Sequence, residues 1–106
     1  MLNSLKKLFK SSPAVNYNEL MKQGAIILDV RTSSEFSTGH VKGSINIPVQ
    51  NLSSQLNKLN QQKAVITCCA SGMRSASAKS ILKNNGFTAY NGGSWLSLQQ
   101  KLNAGH

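Results

Sequence analysis

Residues 67–75 read Thr-Cys-Cys-Ala-Ser-Gly-Met-Arg-Ser and hold the chain's two cysteines, Cys68 and Cys69. A cysteine becomes a nucleophile when its surroundings favour the thiolate over the thiol. Backbone N–H groups curling around the sulfur do this, as does a helix N-terminus behind it. Gly72 suits a turn that a Cβ would obstruct. Arg74 supplies a cation able to brace loop carbonyls or to meet an anionic group. Counted from Cys69 the run is Cys-x-x-Gly-x-Arg-Ser. Cys69 is therefore the candidate nucleophile, and Ala70, Ser71, Gly72, Met73, Arg74 and Ser75 are its candidate cradle. Cys68 reads as a small buried neighbour. The sharper alternative makes it a second thiol that accepts sulfur or bonds to Cys69, although a vicinal disulfide strains the intervening peptide.

Such a cradle needs a strand to deliver the cysteine and a helix to receive the loop. "AVIT", residues 64–67, is a short apolar run that reads as a strand ending at Thr67 or Cys68, and a helix is expected from Ser75. In that helix Ala76 and Ala78 are expected to pack closely, Ile81 and Leu82 to face inward, and Gly86 to cap. Ligands of open parallel sheets bind at the carboxyl ends of strands, which is where this loop falls. Upstream, Asn16 with Glu19 and Thr32 with Glu35 are capping-box patterns that open short helices. Between them "AIILDV", residues 25–30, is an apolar run suited to a strand buried on both faces. A second strand is expected at Ser44 to Ile47, closed by Pro48. Leu52, Leu56 and Leu59 share one face of a helix expected over residues 51–60. Phe87 to Tyr90 gives a fourth strand, and a last helix carries Trp95, Leu98 and Leu102. Strands alternating with helices specify an α/β domain: a mainly parallel sheet with helices on both faces. Asp29 and Arg31, at the end of a buried strand, need partners. Arg31 is expected to tie to Glu35, and the plain reading of Asp29 and Arg31 is a fold-holding ion pair.

The totals bound the function. A chain of 106 residues builds one core. The division is a basic amphipathic tail or helix over residues 1–12 and one domain over 13–106. Twelve Lys and Arg against three acids give a net charge of +9, a field that attracts anions in general. The basic residues are scattered, however, and the few aromatics form no stacking platform, so no nucleic-acid partner is expected. No apolar run reaches the roughly 18 to 20 residues of a membrane span, so no stable membrane insertion is expected. The cysteines lack metal-site spacing with His40 or His106, so no metal is expected. Two adjacent cysteines make no disulfide framework, which suits a reducing compartment and points to the cytoplasm, and a monomer is the default at this size.

Three segments resemble the single-domain rhodaneses, a sulfurtransferase family, over nearly the whole sequence after residue 15. "LDVRTSSEFSTGHVKGSINIP", residues 28–48, is similar to the family's first signature, "CASGMRSASA" to its active-site loop and following helix, and "GFTAYNGGSW" to its closing segment. The resemblance implies a rhodanese-like fold and a two-step reaction. The Cys69 thiolate takes a sulfane sulfur from a small anionic donor such as thiosulfate, or from a persulfide. It then passes that sulfur from a Cys69 persulfide to cyanide, a thiol or a protein cysteine. Amides of residues 70–75 would cradle the outer sulfur, and neither metal nor organic cofactor is needed. The same resemblance makes Asp29, Arg31 and Glu35 structural supports and His40 the support of a turn. Phosphatases and arsenate reductases of related fold use longer Cys…Arg loops, so the six residues from Cys69 to Arg74 argue against phosphate-ester hydrolysis. Some thiosulfate-preferring relatives carry basic residues directly after the cysteine; here Ala70 and Ser71 are neutral. The alternative is a catalytically idle rhodanese-like module that binds an anion or partner. The intact Cys69, Gly72 and Arg74 speak against it.

Overall fold

The computed structural model describes residues 14–104; the expected tail over residues 1–12 lies outside them. Helix α1 (Tyr17–Lys22) leads into strand β1 (Ile26–Asp29) and the short helix α2 (Ser33–Ser37). Strand β2 (Ile45–Asn46) is followed by helix α3 (Val49–Leu52) and a 3-10 turn (Leu56–Lys58). Strand β3 (Val65–Cys69) feeds helix α4 (Met73–Asn84), and strand β4 (Ala89–Ser94) runs into helix α5 (Trp95–Ala104). The strands form one four-stranded parallel sheet in the order β2-β1-β3-β4.

Alternation along β3 sorts its side chains into two core layers. Val65 and Cys69 face Leu52, Leu59, Ala78 and Leu82, beneath α3, the 3-10 turn and α4. Ile66 and Cys68 face Leu98, with Tyr17, Leu20, Trp95 and Leu102 of α1 and α5 packed around them. Both faces of the sheet are thus covered, as a parallel sheet requires. Among the described residues no helix is long and apolar enough to cross a membrane.

Local chemistry sets the element ends. The Asn16 side chain accepts the Glu19 N–H at 3.0 Å. At Thr32 the full reciprocal capping box forms, with Glu35 reaching back to the Thr32 N–H at 3.0 Å. Gly86, at φ +86°, follows the C-terminus of α4 in the left-handed conformation.

The structure departs from the sequence expectations at several boundaries. The single helix expected over residues 51–60 is two short pieces separated by a turn at Ser53 and Ser54. The Ser54 hydroxyl donates to the Asn51 carbonyl at 3.0 Å, a local bond that competes with helix continuation. The leucines still point inward: Leu52 and Leu59 are buried and Leu56 packs beside them. Strand β4 begins at Ala89 rather than Phe87 and continues through Gly92 and Gly93 to Ser94. Ala76, expected to pack closely, is exposed, and only Ala78 faces the core. Strand β3 extends through Cys69, and α4 starts at Met73 rather than Ser75. Met73, Arg74 and Ser75 are therefore the first turn of a helix and not free loop.

Candidate active site

Cys69 is the last residue of β3, and Gly72 is the N-cap of α4, at φ +101°. That conformation favours glycine and lets the chain reverse within three residues. The reversal brings the Gly72 N–H to 3.0 Å and the Ser75 N–H to 3.3 Å from Cys69 Sγ. The Ser75 oxygen lies 3.4 Å from the same sulfur. Burial pushes the Cys69 thiol up, but the Ser75 hydroxyl and the amides of Ser75, Gly72 and Ser71 outweigh it and hold the pKa below its ordinary 9.0. The sulfur lies at the base of the cradle. Ala70, Ser71 and Met73 form its exposed rim, with Met73 80% exposed.

Cys68 has the opposite environment. It points into the other core layer, and burial, aided by the charge of Asp29, pushes its thiol up to about 12. Both thiols are free.

Two ion pairs frame the cradle, and they correct one expectation. Arg31 does not pair with the Glu35 carboxylate. Its guanidinium grips Asp29, with Nε at 2.9 Å from Oδ1 and Nη2 at 2.6 Å from Oδ2. Its remaining donors reach the carbonyls of Glu35 at 3.2 Å and Gly39 at 2.7 Å, and its Cζ lies over the Trp95 ring, 4.8 Å from the ring centre. Residues two apart on extended chain point the same way, so Asp29 is nearer to Arg31 than the helix-borne Glu35 is. The Glu35 carboxylate instead takes Arg74, Nη1 to Oε1 at 2.8 Å and Nη2 to Oε2 at 2.9 Å. Arg74, with help from the Thr32 amide, holds the Glu35 carboxyl down to about 2. The first turn of α4 is thereby clamped to the capped end of α2. His40 stacks on Phe36 with ring centres 3.7 Å apart, and its Nδ1 lies 2.7 Å from the Phe36 carbonyl oxygen.

Asn91 and Thr67 complete the site, and neither stood out as a functional position in the sequence. The Thr67 hydroxyl lies 2.8 Å from the Ser75 carbonyl oxygen, and Asn91 Oδ1 lies 2.6 Å from the Ser75 hydroxyl. Between the pairings Thr67–Asn91 and Cys69–Ser94, the Gly92–Gly93 pair opposes the single residue Cys68. A Cβ at Gly92 would meet the Thr67 carbonyl oxygen at 2.8 Å, so this bulge needs glycine there. The one available signal was a polar residue directly before Gly-Gly within a strand.

Comparison with known proteins agrees with this architecture. The rhodanese-like domain family matches residues 12–97. The chain belongs to the rhodanese-like domain family. Among relatives, the uncharacterized protein YqhL of Bacillus subtilis is 38% identical over 64 residues, covering 60% of this chain and 51% of that protein. The thiosulfate sulfurtransferase GlpE of Pseudomonas savastanoi is 29% identical over 80 residues, 76% of each chain. The human single-domain sulfurtransferase TSTD1 superposes with a TM-score of 0.70 at 26% identity, covering 85% of this rhodanese-like chain and 97% of TSTD1. The chain thus spans about half the length of YqhL.

Proposed function

We propose that this rhodanese-like protein is a sulfurtransferase in which Cys69 carries one sulfane sulfur as a persulfide. The observation that carries the reading is the Cys69 sulfur under the Gly72 and Ser75 N–H groups at the N-terminus of α4. Those donors favour the thiolate, which attacks the outer sulfur of thiosulfate or of a persulfide. A new S–S bond forms at Cys69. The donor's S–S or S–sulfonate bond breaks, and the thiolate or sulfite leaves with the bonding electron pair. The extra sulfur then bears the negative charge, and the exposed amides of the first helical turn are its electrostatic partners. A thiol, cyanide or a protein cysteine attacks that outer sulfur, and the Cys69 thiolate is the leaving group. Ala70, Ser71 and Met73 line the approach and Arg74 locks the turn. Asp29, Arg31 and Glu35 act through the positions they hold. The chemistry needs no cofactor, and it suits a reducing compartment such as the cytoplasm.

The sulfurtransferase names of GlpE and TSTD1 support this class of reaction. The Glu35–Arg74 pair bears on the donor. Arg74 is the one charged side chain between Thr67 and Ala78, and both of its terminal nitrogens are engaged by Glu35. Within the loop itself, recognition of a sulfur donor then rests on amides and uncharged side chains, with the general positive field behind them, which fits a persulfide as well as dianionic thiosulfate.

Intact mass after incubation of the reduced protein with thiosulfate, or with a small-molecule persulfide, tests the reading. One added sulfur atom is expected, removable by cyanide. It is lost in Cys69→Ser and kept in Cys68→Ser, whose thiol faces the other core layer. Absence of the adduct with every donor overturns the transferase reading in favour of an idle binding module. An adduct that follows Cys68 instead overturns the choice of nucleophile.

A further inference from the structure

The hydrogen-bond network behind Cys69 fixes where the Ser75 proton resides. Asn91 Oδ1 accepts the Gly93 N–H at 2.9 Å, so that end of the amide is the oxygen. Asn91 Nδ2 donates to the Gly72 carbonyl at 3.3 Å, so the other end is the nitrogen. A flipped amide would set a donor against a donor at one end and an acceptor against an acceptor at the other. The Ser75 hydroxyl, 2.6 Å from Oδ1, must then be the donor in that contact. It has one hydrogen. The Gly72 carbonyl oxygen also lies within reach of that hydrogen, at 3.0 Å, but Asn91 Oδ1 is the nearer acceptor. With the hydrogen given to Asn91, Ser75 Oγ turns a lone pair toward Cys69 Sγ at 3.4 Å and accepts the S–H. The arrangement is a relay: Cys69 S–H to Ser75, then Ser75 O–H to Asn91. The backbone carbonyl of Asn91, a different oxygen, accepts the Tyr17 hydroxyl at 3.1 Å, which anchors this point of β4 from the α1 side.

This relay suits the thiol and opposes the thiolate. Once Cys69 loses its proton, a lone pair of Ser75 would face an anionic sulfur. The Ser75 hydroxyl can stabilise that sulfur only by rotating its hydrogen away from Asn91. When a sulfur atom is added, the charge moves to the outer sulfur. The inner sulfur becomes a neutral disulfide-like atom, and the hydrogen can return to Asn91.

We propose that Asn91 is a positioning residue that competes with the Cys69 thiolate for the single hydrogen of Ser75, so that the hydroxyl switches partner with each charge state of the inner sulfur. The proposal rests on Cys69 being the sulfur-bearing nucleophile. It deepens that reading by naming the element that tunes the thiolate. Competition makes the thiolate less stable and more nucleophilic, and it favours the sulfur-loaded form over the free thiolate. The chemistry balances without a co-reactant, because only a hydroxyl rotation accompanies the sulfur transfer already described.

The test is the pH profile of Cys69 alkylation by iodoacetamide in a Cys68→Ser background, which needs no sulfur donor and so stands apart from the loading assay. Asn91→Ala removes the nearer competing acceptor and leaves only the weaker one, the Gly72 carbonyl at 3.0 Å. The profile is expected to move to lower pH, with a thiolate fraction about two- to tenfold higher on the acid side of its midpoint, the range of one hydrogen bond. Asn91→Asp strengthens the acceptor and adds negative charge, while losing the donor to the Gly72 carbonyl, and is expected to move the profile to higher pH. Adding Ser75→Ala should abolish the effect of Asn91→Ala, as a double-mutant cycle requires of coupled groups. If Asn91→Ala does not fold, Asn91→Val supplies a strand-compatible side chain without an acceptor and carries the same expectation. A residue that merely braces the loop would loosen the amide cradle when removed. A profile of Asn91→Ala or Asn91→Val that moves to higher pH, or does not move, overturns the proposal. So does a downward shift that persists without Ser75.

Discussion

The chain's two arginines, Arg31 and Arg74, are each held by one carboxylate, but the pairs sit in different media. Asp29 and Arg31 are almost solvent-free, with side chains 0% and 4% exposed. Glu35 and Arg74 are 36% and 37% exposed. A buried pair is costly to desolvate and is held in place by the bonds that satisfy its remaining atoms. Arg31 meets that condition through the Glu35 and Gly39 carbonyls and the Trp95 face, so it ties β1, α2 and α5 into one body. A half-exposed pair is worth little to stability, yet Glu35–Arg74 spans from α2 to the first turn of α4 and sets the wall of the cradle. Similar chemistry at two depths thus gives one pair to the fold and the other to the site.

Removing the buried carboxylate should separate them most sharply. Asp29→Ala leaves the Arg31 charge buried without its partner and is expected to destabilise the protein by about 3 to 5 kcal/mol. Urea unfolding measures this, and replacing Arg31 by Met in the same chain should recover part of the loss. A loss below about 1 kcal/mol would place the Asp29 contribution in the range of a surface pair.

Arg74→Ala should do the reverse. Stability is expected to change by less than about 1 kcal/mol, while the rate of sulfur loading falls on the order of 10- to 100-fold as the first turn of α4 loses its clamp. Arg74→Lys should recover little, because an ammonium cannot reproduce the two-pronged contact with Glu35. Single-turnover loading followed by mass, alongside urea midpoints, distinguishes the two costs. Equal losses in both would remove the distinction between site and fold.

How far the sequence exposed this arrangement depends on the reach of each interaction. The Thr32–Glu35 box was legible because all of its atoms lie within four residues. The sequence placed Cys68 at the strand end as a small buried neighbour, but β3 runs on through Cys69, so it is alternation along this longer strand that sets the two sulfurs on opposite faces. The fold-holding pair of Asp29 and Arg31 was within reach of the sequence, two residues apart on one strand end; the expected tie of Arg31 to Glu35 exists only through the Glu35 backbone carbonyl. Glu35 is in fact taken by Arg74, 39 residues away, which no local pattern reveals. Asn91 was hidden for a similar reason. Its place beside Ser75 depends on the β3–β4 register and on the Gly92–Gly93 bulge, and both are set by long-range packing. The leucine spacing at 52, 56 and 59 gave the buried face but not the break at Ser53 and Ser54, because helical periodicity records which way a side chain points and not whether the backbone bonds continue.

The smallest effect is a pH dependence, and its sign follows from Glu35. The folded-state carboxyl is lowered from 4.5 to about 2, chiefly by the hydrogen bonds from Arg74. A carboxyl depressed by folding contributes stability that is fully present above its unfolded value and lost as pH falls through its folded value. The contribution of the pair should therefore be constant above pH 4.5 and decline between there and about 2. Glu35→Gln keeps an oxygen for the Thr32 N–H, so the helix cap is retained, but it has no charge to lose. The stability difference between the parent and Glu35→Gln should be flat at neutral pH and shrink across that acid window, read as urea midpoints over a pH series. A gap that stays constant down to pH 2 would mean that the charge of Glu35 is not what joins α2 to α4 in solution, and the clamp on the cradle would have to be assigned to the Thr67 and Asn91 contacts behind Ser75.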